Sequence, residues 1–326
     1  MNNAYLGYVN TSDNSVEIYT SFYGSDLTGA NFEYANLPYT KFNYAKLVDA
    51  SFYNAILTPL SSLQFFKADL TSANFREANL TNVWFWDAEL NYTSFYAADL
   101  TDASFYQSDY LINADFRYAD LTNATLSNAY LVEADLNYAV LTYADFYLAD
   151  LIDACLRYAD LPGADLIYAN LTGATLGYAT LLATFNSADL TDANLYHADL
   201  SSAWLHYTKL NGANLSRADL TNAKLKGADL SNTELKVADL SFAYLKYSDL
   251  SFAYFSDADL SNASLSNADL SGAMLQEVDL VDADLNYTDL SNAFFRDVDL
   301  SNANLFDADL TNLQAIGITL KDADLR

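Results

Sequence analysis

Large apolar side chains recur along this chain every five residues, and nearly every one has an alanine two positions before it. The stretch Ala188-Asp189-Leu190-Thr191-Asp192, Ala193-Asn194-Leu195-Tyr196-His197, Ala198-Asp199-Leu200-Ser201-Ser202 shows the unit. It reads Ala, then Asp or Asn, then a central Leu or Phe, then two variable residues. Centres follow at intervals of five from Phe22 to Leu57, Phe65 to Phe105, Leu111 to Leu181 and Phe185 to Leu325, with Ala315 the one weak centre of the last run. A period of five fits neither the 3.6 residues of a helical turn nor the two of a pleated strand. It fits a three-residue strand followed by a two-residue corner. Pleating then points the small residue and the centre inward and the residue between them outward.

The corners carry turn chemistry. Leu161-Pro162-Gly163 places Pro and then Gly as a type II turn requires. Eight of the ten glycines fall on the second corner position, among them Gly29, Gly173, Gly212 and Gly272. Asn222, Asn262 and Asn292 take the same place elsewhere, as expected where φ turns positive. A longer period is superimposed on the short one. Tyr118, Tyr138, Tyr158 and Tyr178 share one corner position every twenty residues, as do Phe66, Trp86 and Tyr106. Four sides per coil explain this. At the roughly 4.8 Å spacing of neighbouring strands, some sixty units predict about fifteen coils and a rod about 70 Å long.

The pattern A-(D/N)-L-X-X, held over more than nine-tenths of the chain, resembles that of the pentapeptide-repeat family. The resemblance implies an all-β fold, a right-handed quadrilateral β-helix. The handedness comes from the resemblance alone. Some members bind bacterial DNA gyrase or topoisomerase IV as mimics of duplex DNA and protect the enzyme from inhibitors. This chain is similar to them in repeat and in charge, but it is longer, more regular and lacks long projecting loops.

Three interruptions are expected in the solenoid of residues 22–326: an eight-residue step near 58–64, a six-residue step near 106–111 and a four-residue step at 181–185. Residues 1–21 lie outside the repeat. Two β-prone runs, Tyr5 to Val9 and Val16 to Tyr19, flank Asn10-Thr11-Ser12-Asp13-Asn14 and read as a hairpin. Such a hairpin is expected to cap the first coil, since solenoids need protected ends. At the other end Asp322-Ala323-Asp324-Leu325-Arg326 is still repeat, which predicts an exposed strand edge. Leu320 and Leu325 are then candidates for end-to-end contact with a second copy or a partner.

Composition sharpens the functional picture. The net charge is −28, yet 26 of the 43 acidic residues occupy the Asp/Asn slot of the repeat, and the other 17 nearly balance the 15 Lys and Arg. Most of the acidity therefore accompanies the fold. It is still organised: Asp219, Asp239, Asp259, Asp279 and Asp299 should form one ladder, with Asp229, Asp249, Asp269, Asp289 and Asp309 on the opposite face. Stacked like charges are expected to raise one another's pKa. Lys209, Arg217, Lys224, Lys226, Lys236 and Lys246 cluster within forty residues, either as relief for those ladders or as a polar docking patch.

Phe66, Trp84, Trp86, Tyr96, Tyr106, Tyr118, Tyr138, Tyr158 and Tyr178 form a candidate interaction surface of outward aromatic rings. Tyr254, Met274 and Phe294 make a further outward apolar row. His197 and His206, the only histidines, and Cys155, the only cysteine, fall on outward positions with no catalytic setting. There is no HExxH and no phosphate-cradling loop. Neither an enzyme nor a cofactor or metal is expected, and neither membrane insertion nor direct nucleic-acid binding. The single cysteine and the absence of a signal-like start predict a cytoplasmic protein. The function expected is a non-catalytic scaffold that binds protein partners or itself. Regulation of gyrase or topoisomerase IV by DNA mimicry is the alternative.

Overall fold

The computed structural model describes residues 5–10, 16–58, 64–106 and 110–326. It divides into two compact units, Met1–Asp160 and Leu161–Arg326. That boundary falls within the repeat, whereas the sequence divides at the hairpin. In the first unit β1 (Tyr5–Asn10) and β2 (Val16–Ser21) pair antiparallel, Tyr5 opposite Ser21 and Asn10 opposite Val16. β2 runs straight into the solenoid, since Ser21 also bridges Lys41 in parallel. In the second unit β3 (Tyr254–Ser256), β4 (Met274–Gln276), β5 (Phe294–Arg296) and β6 (Gln314–Ile316) form a parallel sheet. The remaining rungs are single parallel bridges between Asp/Asn-slot residues, most of them twenty positions apart. Four sides and four corners thus make one turn, and no helix occurs among the described residues.

One unit accounts for all five of its backbone donors. In Ala218-Asp219-Leu220-Thr221-Asn222, Asp219 N–H donates back to the Ala198 carbonyl (2.9 Å). Leu220 and Asn222 donate forward to Asp239 and Ser241 (2.7 and 3.1 Å), and Ala218 closes the preceding turn onto Leu215 (3.0 Å). The fifth donor, Thr221 N–H, has no carbonyl partner and goes to Asp219 Oδ1 at 2.9 Å. This is why the repeat demands Asp or Asn: the slot must supply a side-chain oxygen two residues before the corner amide. The second corner position is left-handed almost throughout. The eight glycines found there include Gly163 (φ 72), but Tyr138 (φ 62), Leu148 (φ 57) and even β-branched Val237 (φ 57) adopt it as well. A non-glycine residue there is disfavoured locally; the forward N–H bond and the tight turn offset the cost.

The core is closed. Ala and the centres are buried at essentially every unit from Phe42 to Leu305. Within the first unit the centres build two phenylalanine columns, with Phe65 and Phe85 at 5.1 Å and nearly parallel, Phe75 and Phe95 likewise at 5.3 Å, and edge-on contacts between columns such as Phe85–Phe95 at 5.4 Å. Where Thr replaces the inward Ala its hydroxyl is satisfied by a carbonyl, as in Thr93 to Leu70 and Thr208 to Phe185, both 2.8 Å.

The interruptions do not dephase the sides. Across the eight-residue step the bridges connect Lys46 to Asp69, Ser51 to Asn74 and Ile56 to Asn79. The six-residue step gives Glu89 to Tyr110 and Ser94 to Asp115, and the four-residue step gives Asp165 to Thr184 and Asn170 to Asp189. After each anomaly the twenty-residue interval returns. The cores of the first two breaks, residues 59–63 and 107–109, lie outside the described residues.

Candidate interaction surfaces

Outward chemistry begins with the aromatic rings of the first unit. Trp84 occupies an Asp/Asn slot, is 42% exposed and meets Trp86 edge-on at 6.4 Å. Trp86 in turn leans on Tyr106 at 5.8 Å. Tyr96 is flanked by the Arg76 guanidinium at 4.4 Å and that of Arg117 at 5.6 Å, and touches Tyr118 at 5.4 Å. Phe66 sits edge-on to Tyr44 at 5.4 Å. Phe66, Trp86, Tyr96 and Tyr106 are half-buried, while Trp84 and Tyr118 remain exposed despite their ring contacts. Tyr118, Tyr138 and Tyr158 stack face to face at 4.9 and 4.8 Å, the ladder that the twenty-residue spacing implies. Tyr178 belongs to the second unit, where it stacks on His197 at 5.0 Å.

Acidic ladders run along two opposite sides of the second unit. Bridges join Asp219, Asp239, Asp259, Asp279 and Asp299 in one series, and Asp229, Asp249, Asp269, Asp289 and Asp309 in the other. Each carboxylate accepts its own corner amide, from Ser241 N–H to Asp239 (2.9 Å) through Ser291 N–H to Asp289 (2.8 Å). The expected upward shift is not what the resolved groups show. The Ser301 hydroxyl and amide hold Asp299 below the usual carboxylate value, and Thr311 does the same for Asp309. Two local donors, a hydroxyl and the corner amide, set the direction at both carboxylates. Lys209 interrupts the second ladder and bonds Asp189 at 2.8 Å. Burial pushes the Asp189 carboxyl up, but the bonds from Lys209 and Thr191 leave it below its ordinary value.

The remaining predicted positions scatter. Tyr254, Met274 and Phe294 lie in register on β3, β4 and β5, with Met274 48% exposed. Cys155 is half-buried and bridged to Asp135. Leu320 and Leu325 are 38% and 52% exposed, in contrast to buried Leu305. Among the described residues no three His, Cys, Asp or Glu side chains converge as a metal site would need, and no helix is long and apolar enough to cross a membrane. Sequence reasoning found the lysine cluster but missed its relation to the four-residue step. Only the coil geometry puts Trp204 and Lys224 on one side, between the shortened corner and the corner of His206.

Comparison with known proteins places the repeat in context. The family profile described as pentapeptide repeats matches in eight copies, over residues 20–58, 68–107, 114–151, 144–181, 182–206, 198–236, 238–276 and 263–302. The comparison counts eight copies rather than fifteen coils; the copy 68–107 is long enough to span two twenty-residue turns. Curated proteins give no match. Among solved structures, HetL from the cyanobacterium Nostoc, a pentapeptide repeat protein involved in heterocyst differentiation regulation, is 33% identical. That match covers 65% of this chain and 90% of HetL, with a TM-score of 0.48. A trypsin-treated form of QnrB1, a plasmid-mediated fluoroquinolone resistance protein, is 20% identical over 54% of this chain and 89% of its own, with a TM-score of 0.32. Rfr23 from the cyanobacterium Cyanothece is 33% identical over 29% of this chain and 63% of its own, with a TM-score of 0.22.

Proposed function

Because the chain belongs to the pentapeptide-repeat family and has that family's right-handed quadrilateral β-helical fold, we propose that it is a non-catalytic protein-interaction module of the cytoplasm. The observation that carries this reading is the division of labour in each unit. Inward positions are filled by Ala, Leu and Phe, so the chemistry that varies from rung to rung is confined to the outside. The aromatic group centred on Trp84 and Trp86 is the surface best suited to a protein partner, since exposed aromatic rings supply rigid apolar area with a polar edge. Self-association through Leu320 and Leu325 belongs to the same reading. The test is capture from native lysate with the full chain and with a Trp84→Ser/Trp86→Ser variant. Partners captured by the first and lost by the second support the reading, and an identical set from both removes the aromatic group from it.

The bridged Asp ladders favour a second reading, mimicry of duplex DNA toward a bacterial type II topoisomerase. The fold supplies a clean test. Asn retains the oxygen that the corner amide needs, so replacing Asp219, Asp239, Asp259 and Asp279 by Asn strips charge from one ladder and leaves the rungs intact. Under mimicry the parent chain alters gyrase supercoiling at low micromolar concentration and the Asn variant does so much less. No effect of the folded parent ends this reading.

A further inference from the structure

The four-residue step in the second unit removes one corner residue between Leu181 and Phe185 and leaves a notch. It encloses about 320 Å³, bounded by Gly163 on the rung before, Leu182 and Thr184 at the shortened corner, and Ser201 and Ser202 on the rung after. One wall is Trp204, whose indole is 54% exposed. Bridges on one side join Thr184 to Trp204, Trp204 to Lys224, and Lys224 to Tyr244. The adjoining corner carries His206, Lys226 and Lys246 at matching positions of successive rungs. Trp204 meets His206 edge-on at 5.9 Å. Lys226 Nζ stands 5.9 Å from the Tyr247 ring and Lys246 Nζ 5.8 Å from the Tyr244 ring.

These lysines stand between acidic ladders in a chain of net charge −28. Lys67, Arg117, Lys209, Arg296 and Arg326 each lie within ion-pair distance of a carboxylate. Among the described residues none lies that close to Lys224, Lys226 or Lys246, as is also true of Lys41, Lys46, Arg76, Arg157, Arg217, Lys236 and Lys321. What sets the three apart is their place on one side and its corner, with Asp ladders on both neighbouring sides. His206 Nδ1 is buried and has no hydrogen-bond partner. Burial, with Lys226 and Lys224 nearby, holds its imidazole below the usual value, so at neutral pH the positive charge here is that of the lysines. Three cations without an ion pair therefore follow the notch along the solenoid: Lys224 one rung beyond Trp204 on its side, and Lys226 and Lys246 at the corner on the far end of that side, while the notch itself has hydroxyls at its rim.

We infer that the notch and the three lysines form one docking site for an acidic peptide segment of a partner protein, with a bulky apolar side chain seated in the notch against Trp204 and flanking carboxylates on Lys224, Lys226 and Lys246. The inference rests on the reading of the chain as a protein-interaction module and names a surface and a partner chemistry for it. A volume of 320 Å³ is at the small end of ligand pockets, about 300 to 1,000 Å³, and suits one anchoring side chain of the kind that dominates binding energy at interfaces. The cationic patch spans two rungs and is bordered by the ladders, whose field repels a long phosphate backbone. A short segment with a few carboxylates stays inside the patch.

The experiment uses the full chain and labelled twelve-residue peptides in fluorescence anisotropy: an Asp/Glu-rich peptide with a central Phe, the same with Gly for Phe, a Lys-rich peptide with the Phe, and single-stranded DNA of equal length. Binding of the first peptide is expected, at least tenfold tighter than the Gly peptide and weakening with salt, with no binding of the Lys peptide. Lys224→Gln/Lys226→Gln/Lys246→Gln and, separately, Trp204→Ser should each reduce it tenfold or more. Lys209→Gln, off the site, should leave it unchanged, and circular dichroism checks that every variant keeps its fold. Equal binding with and without Phe, preference for DNA, or no binding of either acidic peptide overturns the proposal. So does concentration-dependent self-association that only the triple variant abolishes. If the acidic peptides fail while Trp84-dependent partners are captured, this inference falls alone; if no protein is captured either, the module reading falls with it.

Discussion

Replacing Asp239 separates the two jobs its carboxylate performs. Its Oδ1 accepts the Ser241 amide at 2.9 Å, and Ser241 is only 8% exposed, so water has little access to that amide. Bridges place Asp219 and Asp259 on either side, so the carboxylate also sits between two like charges. Asp239→Ala removes both features and leaves a shielded donor unsatisfied, a loss of about 1 to 3 kcal/mol. Relief of repulsion returns a fraction of that at an exposed, screened surface, so a net loss of about 1 to 2 kcal/mol is expected. Asp239→Asn keeps the acceptor and removes only the charge, and should lie within about 0.5 kcal/mol of the parent. Urea denaturation followed by far-ultraviolet circular dichroism distinguishes them by midpoint, provided the slope is unchanged. If Asn destabilises as much as Ala, the ionised charge is what the slot requires and the donor inventory of the repeat is wrong. If Ala is as harmless as Asn, the corner amide finds water after all.

Other outcomes follow from particular contacts. Phe85→Ala removes a fully buried ring that packs on Phe65, Phe75, Phe95 and Phe105; it should cost about 3 to 5 kcal/mol. Solenoid stability is set largely by adjacent repeats, so hydrogen exchange should quicken on the neighbouring rungs before amides near Leu136 to Leu151, and uniform acceleration over that whole range would contradict this. Arg117 bonds Asp115 at 2.8 Å, and although burial raises that carboxyl, the guanidinium leaves it below its ordinary value. The pair therefore stabilises the fold above the unfolded carboxyl pKa of about 3.9, and the contribution disappears as pH falls through the lower folded value. Arg117→Gln should cost about 0.5 to 1 kcal/mol at pH 7, and a deficit that stays constant to pH 2 in denaturation curves would rule out the ionic origin. Gly227 has φ 65, and a Cβ there would lie 2.7 Å from the Tyr207 ring. Gly227→Ala should cost about 1 kcal/mol and displace the ring, visible as a shifted Tyr207 resonance; an unmoved ring with full stability would contradict the close approach.

The period of five carried most of the fold, because a side chain's inward or outward direction is fixed by its place in the unit. Corner Pro162 and Gly163 and the tyrosines at twenty-residue intervals were enough to count sides. The sequence did not reveal that Tyr, Leu and Val also accept the left-handed corner: Val237 reads as a strand former, and only the forward bond to Ser256 at 2.7 Å shows what holds it there. Nor did it reveal the notch. A four-residue step can be counted, but that it opens a space beside Trp204 depends on how the shortened corner lies between its neighbours. The sign of the ladder shift was missed for a related reason. Charge repulsion is visible in the spacing, whereas the hydroxyls of Ser301 and Thr311 matter only through their orientation.

The return of the twenty-residue interval after each interruption has an evolutionary consequence. A chain that lost phase after every insertion would turn its oily side chains to water for the rest of its length, as a slipped strand does. Here three residues or one have been gained, and one lost, between neighbouring strands without that penalty. New loops or recesses can therefore be tried anywhere on the outside, each judged on its own merits, while the scaffold beneath stays the same.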